Sequence, residues 1–327
     1  MHITFQRWSA GLLAVALTAV AGLATAADPY PSKPIVATVP FPPGGSSDAV
    51  MRAISMPLSK ALGQPVVLDN KPGANGTLGG QAVARAAADG HAIVIGSVGT
   101  WAITPTLLKG MDFDPRRDLT PLTVAVRTPN VMVVSPSLPV ATVAELVAYM
   151  KRNPGKVAFA SAGIGSTDHL TSVLFWQRTG TDGVHVAYRG GGAAITDVMA
   201  GHSQVLISNV GVLASHIKAG KLKALAVTAA ARLPDLAAVP TMQEAGVPGL
   251  EVYSWQGIGA PRNLPPAVLA KLQPALITAL KDPSVAKALS ASGFEVVAGS
   301  SDAFASFLDS ETRRWQAVID RAGIKAE

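Results

Sequence analysis

Phe41-Pro42-Pro43-Gly44-Gly45-Ser46-Ser47-Asp48 follows an apolar, strand-like run at 35–39, and Ser161-Ala162-Gly163-Ile164-Gly165-Ser166-Thr167-Asp168 follows another at 157–160. A strand, a glycine-rich turn and then a helix leave several backbone N–H groups unpaired and roughly half a positive charge at the turn. One such unit in each half of the chain predicts two α/β domains whose loops form an anion-binding clamp.

The surrounding sequence supports that class. Strand-length runs that are mostly apolar on both faces recur at 65–68, 92–96, 131–134, 157–160, 184–187, 205–207 and 224–227. They fit parallel strands covered by helices. Thr142 with Glu145 and Thr241 with Glu244 have capping-box spacing and predict helix starts, the first helix ending at Asn153-Pro154. Leu170, Val173 and Leu174 recur at helical spacing. So do Val268, Leu269, Leu272, Leu276 and Ile277, and then Phe304, Phe307, Leu308, Trp315, Val318 and Ile319. These stripes read as core faces.

Two chain crossings are expected, at 123–130, where Arg127-Thr128-Pro129 interrupts two apolar runs, and at 253–261. They give domain 1 as 27–127 with 255–327 and domain 2 as 128–254. The ligand cleft is expected between them.

Residues 1–26 read as a secretory signal peptide. His2 and Arg7 precede an uncharged apolar stretch at 10–24 and a small-residue cleavage site, Ala24-Thr25-Ala26. That stretch is shorter than the roughly 20 residues needed to span a bilayer. The chain has no cysteine, so disulfides, cysteine metal sites and a lipid-anchored N-terminus are excluded. A free protein of the periplasm is expected. Removing Arg7 lowers the net charge of +6 by one, and the remaining cations are scattered. That argues for a mildly basic soluble surface and against nucleic acid as a partner.

Read in order, several motifs resemble the Bug receptors, the extracytoplasmic solute-binding subunits of tripartite tricarboxylate transporters. They are Pro40-Phe41-Pro42-Pro43-Gly44-Gly45 with Asp48, Leu62-Gly63-Gln64-Pro65, Asn70-Lys71-Pro72-Gly73-Ala74-Asn75-Gly76 and Asp89-Gly90. Ser161-Ala162-Gly163 with His169-Leu170, Tyr188-Arg189-Gly190-Gly191, Ala219-Gly220-Lys221-Leu222 and Val239-Pro240-Thr241 with Glu244-Ala245-Gly246 continue the series. The resemblance spans nearly the whole chain after the leader. It implies a two-lobed, type II-like periplasmic binding protein that closes on a small organic carboxylate and hands it to membrane permease subunits. The ligand would be a dicarboxylate, an amino acid or an aromatic acid, bound by a monomer without cofactor, metal or catalytic step. The first loop would hold one carboxylate through backbone amides. His91-Ala92 and Ser208-Asn209-Val210 depart from the family's usual residues.

The candidate ligand-binding residues are Phe41, Pro43, Gly44, Gly45, Ser46, Ser47, Asp48, Asn75, Ser97, Thr100, Ser161, Gly163, Ser166, His169, Tyr188, Arg189, Gly190 and Asn209. Each has a plainer reading. A serine before α-helical sequence caps the helix, with Asp48 favouring its first turn. Asn75 suits a turn with left-handed geometry, Thr100 a structural turn, and His169 a satisfied structural histidine. At Gly190-Gly191-Gly192 the expected ligand contact is a third amide nest, and the plainer reading concerns Arg189, which would face solvent. Ser166, Asp168 and His169 supply the residue types of a hydrolase, but no Gly-x-Ser-x-Gly elbow accompanies them. A receptor that signals to a sensor kinase is the other alternative to permease delivery.

Overall fold

The computed structural model describes residues 30–107 and 112–325; the signal-peptide reading of 1–26 lies outside them. The first unit runs β1 (Ile35–Val39), α1 (Ser46–Leu62), β2 (Val66–Asn70), α2 (Thr77–Ala84) and β3 (Ala92–Ser97). The long β4 (Leu119–Val134) leads into α3 (Val143–Arg152). Then come β5 (Ala158–Ser161), α4 (Thr167–Thr179), β6 (Val184–Ala187), α5 (Gly191–Ala200), β7 (Val205–Asn209), α6 (Val210–Lys218) and β8 (Lys223–Val227). The chain ends with β9 (Tyr253–Pro261), α7 (Pro266–Leu280), α8 (Pro283–Ala291), β10 (Glu295–Val296) and α9 (Ser301–Ala322).

The strands hydrogen-bond in the order β2-β1-β3-β9-β4-β7-β5-β6, with β8 and β10 also on β4. Two similar halves meet along β4. In the first, β2, β1 and β3 run parallel and β9 antiparallel to them. In the second, β6, β5 and β7 run parallel and β4 antiparallel. Each half therefore places the loops after its three parallel strands at one edge, where open α/β sheets bind ligands.

Every strand-length run foreseen in the sequence falls on a strand, and the α/β class holds. Two details differ. The runs 131–134 and 224–227 pair antiparallel with each other, and 131–134 also pairs antiparallel with β7, so neither joins a parallel set. Arg127-Thr128-Pro129 interrupts nothing, because β4 passes straight through it while pairing Arg127, Thr128 and Pro129 with Trp255, Ser254 and Tyr253. Pro129 gives up only its own N–H, which an unbroken strand tolerates at such a junction.

The helices form where the patterns place them. On α1, Val50, Met51, Ile54, Leu58 and Leu62 face the first sheet and are buried. Burial of each such side chain stabilises the fold by about 1.5–3 kcal/mol. Gly63, in left-handed conformation, ends the helix. Leu272 and Leu276 of α7 pack against the same core. On α9, Phe304, Leu308, Trp315, Val318 and Ile319 join a core that continues into the second sheet through Met132, Phe159 and Phe175. Thr142 caps α3 by accepting the Glu145 N–H at 3.1 Å. The second capping box forms fully, with Thr241 N donating to Glu244 Oε2 at 2.8 Å and Glu244 N to Thr241 Oγ1 at 3.1 Å. It closes an isolated turn instead of starting a helix, because the chain turns away at Gly246 (φ +84°).

Candidate functional site

The loops after β1, β2, β3, β5, β6 and β7 converge on a cavity of about 510 Å³. Its wall takes Phe41, Pro43, Gly45, Ser46, Ser47, Asn75 and Ser97 from the first half, and Ser166, Gly190 and Asn209 from the second. Gly44, Asp48, Thr100, Ser161, Gly163, His169, Tyr188 and Arg189 stand behind or beside that wall.

The residues behind it fix the loops. In the first, Gly44 has φ +88°, which a branched residue adopts only with strain, and its N–H donates to Asp48 Oδ2 at 3.0 Å. Asp48 also accepts from Arg52 Nε at 2.7 Å and Asn70 Nδ2 at 3.2 Å. The Arg52 bond, helped by those from Gly44 and Asn70, outweighs burial and holds the Asp48 carboxyl down at about 2. Neither serine caps α1. Its N-cap is Gly45, which offers no side-chain acceptor, so the first-turn N–H groups stay free of side-chain competition. Ser47 Oγ instead donates to Gln256 Oε1 at 2.5 Å.

In the second half, Ser166 is a true N-cap, its Oγ accepting the His169 N–H at 3.2 Å. His169 is a structural histidine: its Nδ1 accepts the Gly165 N–H at 3.2 Å and its ring stacks on His185, centroids 3.7 Å apart. Burial, with His185 alongside, lowers the His169 imidazole to about 3, so it stays neutral. His185 Nε2 lies 2.6 Å from Ser161 Oγ, and Ser161 is fully buried. Tyr188 Oη donates to Asp197 Oδ2 at 2.6 Å, away from the cavity, and Arg189 is exposed. Ser166 Oγ meets only the backbone N–H of His169, while the Asp168 carboxylate takes Ser208 and the Ala162 N–H and His169 Nδ1 takes the Gly165 N–H, so the three side chains of the hydrolase reading do not hydrogen-bond one another.

Asn75 does two things. It adopts φ +50° in the turn, as its type suggests, and its Nδ2 reaches Thr104 Oγ1 at 3.0 Å and Gly165 O of the opposite loop at 3.4 Å. Thr100 supports that turn from behind, Oγ1 to Asn75 O at 3.4 Å.

Sequence reasoning missed Ser254, Gln256 and Asp168 as wall residues. Strand alternation puts Ser254 and Gln256 on the cavity face of β9, while Tyr253 and Trp255 line a separate groove on its other face. A glutamine within the buried run of β9 was the available signal. Asp168 is buried and accepts Ser208 Oγ at 3.2 Å and the Ala162 N–H at 3.3 Å. Burial pushes its carboxyl up to about 6.

The family model described as "Tripartite tricarboxylate transporter family receptor" matches residues 50–324. Protein BugT of Bordetella pertussis is 36% identical over 94% of this chain and 95% of its own length. A solved R. palustris protein described as bound to adipate is 35% identical, with TM-score 0.81 over 90% of this chain and 99% of its own. The malate-bound MatC of Rhodopseudomonas palustris is 30% identical, with TM-score 0.78 over 89% of this chain and all of its own.

Proposed function

The chain belongs to the tripartite tricarboxylate transporter receptor family, and on that premise we propose that it captures a small organic carboxylate in the cavity between its two half-sheets and delivers it to permease subunits. The observation that carries this reading is a pair of helix N-termini. α1 opens at Gly45 and α5 at Gly190, neither has a side-chain cap, and both glycines lie on the cavity wall from opposite halves. Backbone N–H groups and helix dipoles converging from two sides bind an anion without a dedicated cation.

The two halves act as two lobes, 27–127 with 255–327 and 128–254, and β4 and β9 serve as the hinge. Ligand entry tightens the approach already made by Asn75 to Gly165 O. The protein acts as a monomer in the periplasm after removal of residues 1–26. Binding and release are its whole chemistry.

A thermal-shift screen over dicarboxylates, amino acids and aromatic acids tests the reading. An acid at about 100 times its Kd stabilises the protein by about 2.7 kcal/mol. If no carboxylate in such a screen raises the melting temperature, the proposal fails.

A further inference from the structure

Among the described residues on the cavity wall, Asp168 is the only one with a charged side chain, and that charge is negative. Its residue is 6% exposed, its carboxylate accepts from the Ser208 hydroxyl and the Ala162 N–H, and no described Lys, Arg or His forms an ion pair with it. Next to Ser208 on β7, Asn209 also lines the cavity, and its buried Oδ1 has no hydrogen-bond donor. The wall is therefore polarised. The uncapped starts of α1 and α5 offer donors, and the corner formed by Asp168 and Asn209 offers acceptors.

A buried carboxylate without a cation is costly, and a second carboxylate brought beside it raises that cost. A cationic group brought there supplies the missing partner. The start of α4 gives no room for a ligand anion, because Ser166 occupies the cap position and Asp168 itself holds the first turn. Resting on the carboxylate-receptor reading above, we infer that the ligand is a zwitterion: its carboxylate lies at the α1 and α5 N-termini and its ammonium is held by Asp168 with Asn209 Oδ1. Asp168 is then the residue that separates amino acids from dicarboxylates of the same length. The raised Asp168 carboxyl fits this arrangement, since burial outweighs its hydrogen bonds and no described cation pairs with it.

Calorimetry on matched pairs tests the inference: β-alanine against succinate, γ-aminobutyrate against glutarate and δ-aminovalerate against adipate, with neutral α-amino acids alongside. The expected result is that the tightest binder is a zwitterion, at least about tenfold tighter than its matched dicarboxylate. Asp168→Asn should reduce or invert that preference, by about tenfold or more. If that variant does not fold, Asp168→Ser, which keeps a short polar side chain in the first turn, carries the same comparison. A dicarboxylate that binds as well as its zwitterionic partner, or a preference unchanged in either folded variant, overturns the inference and leaves the carboxylate reading standing. Binding by no acid of either kind overturns both.

Discussion

Asp48 and Asp168 occupy the first turns of α1 and α4, and each ties its own glycine-rich loop to the neighbouring strand. Asp48 takes the Gly44 N–H and Asn70 of β2; Asp168 takes the Ala162 N–H and Ser208 of β7. Their electrostatic settings are opposite. Arg52, one turn along α1, neutralises Asp48 and lowers its carboxyl, whereas at Asp168 burial outweighs the hydrogen bonds and the carboxyl rises. Their helix starts differ as well: α1 is uncapped at Gly45, α4 is capped by Ser166. A loop that must receive an anion keeps its N–H groups free and its own acid paired with a cation. A loop with an unpaired acid and a filled cap is built to meet a donor.

The largest effect expected from this contrast is at Gly44. Gly44→Val forces a β-branched residue to φ +88° and should abolish carboxylate binding in calorimetry, whereas Arg189→Ala, at an exposed position, should change Kd by less than about tenfold. The reverse pattern would move recognition from the loop to the guanidinium.

Asp48→Ala strands the Gly44 N–H and Asn70 and should cost about 2 kcal/mol in urea unfolding at pH 7. Because the Asp48 carboxyl is lowered on folding, its contribution is complete above pH 4 and lost as pH falls towards 2. The deficit of the variant should shrink over that range. A deficit independent of pH would mean that Asp48 acts by packing alone.

Asp168→Asn should do the opposite. A carboxyl raised on folding to about 6 makes the native state lose stability as pH rises from about 4 to 6. The variant should be more stable than wild type at pH 7.5 and equal to it near pH 4. The His169 imidazole, lowered to about 3, works in the other direction, removing stability as pH falls from 6.5. It is present in both proteins and cancels in the difference. A variant less stable at pH 7.5 would contradict the unpaired state of Asp168.

Much of this contrast is legible in the amino-acid sequence. Both loops, their strands and the helices after them follow from glycine placement and apolar runs, and Asp48 with Arg52 is a helical pair readable at its spacing. The Asp168 setting is not readable there, because Ser208 arrives from another strand and burial follows from how the second sheet is covered. Ser254 and Gln256 are hidden for a similar reason. Which face of β9 looks into the cavity depends on its register against β4, and apolar content says nothing of register. The Thr241 box shows the limit of local signals: the hydrogen bonds form as their spacing demands, yet Gly246 ends the turn before a helix can propagate.

Smaller effects should separate the two caps. Ser166→Ala removes the only side-chain cap at the start of α4 and should cost about 1 kcal/mol of stability. Gly45→Ser supplies an acceptor at the start of α1, where it should change stability by only a few tenths of a kcal/mol while weakening carboxylate binding by competing for the same N–H groups. Unchanged affinity in Gly45→Ser would show that the α1 amides are not used.

The most direct measurement is calorimetric comparison of the tightest-binding acid with the same molecule bearing a primary amide in place of the carboxylate. If preorganised N–H groups at α1 and α5 hold the anion, the amide should lose about 1.5–3 kcal/mol, the scale of hydrogen bonds to a charged group. An amide that binds as tightly as the acid would contradict the anion site at these two helix starts.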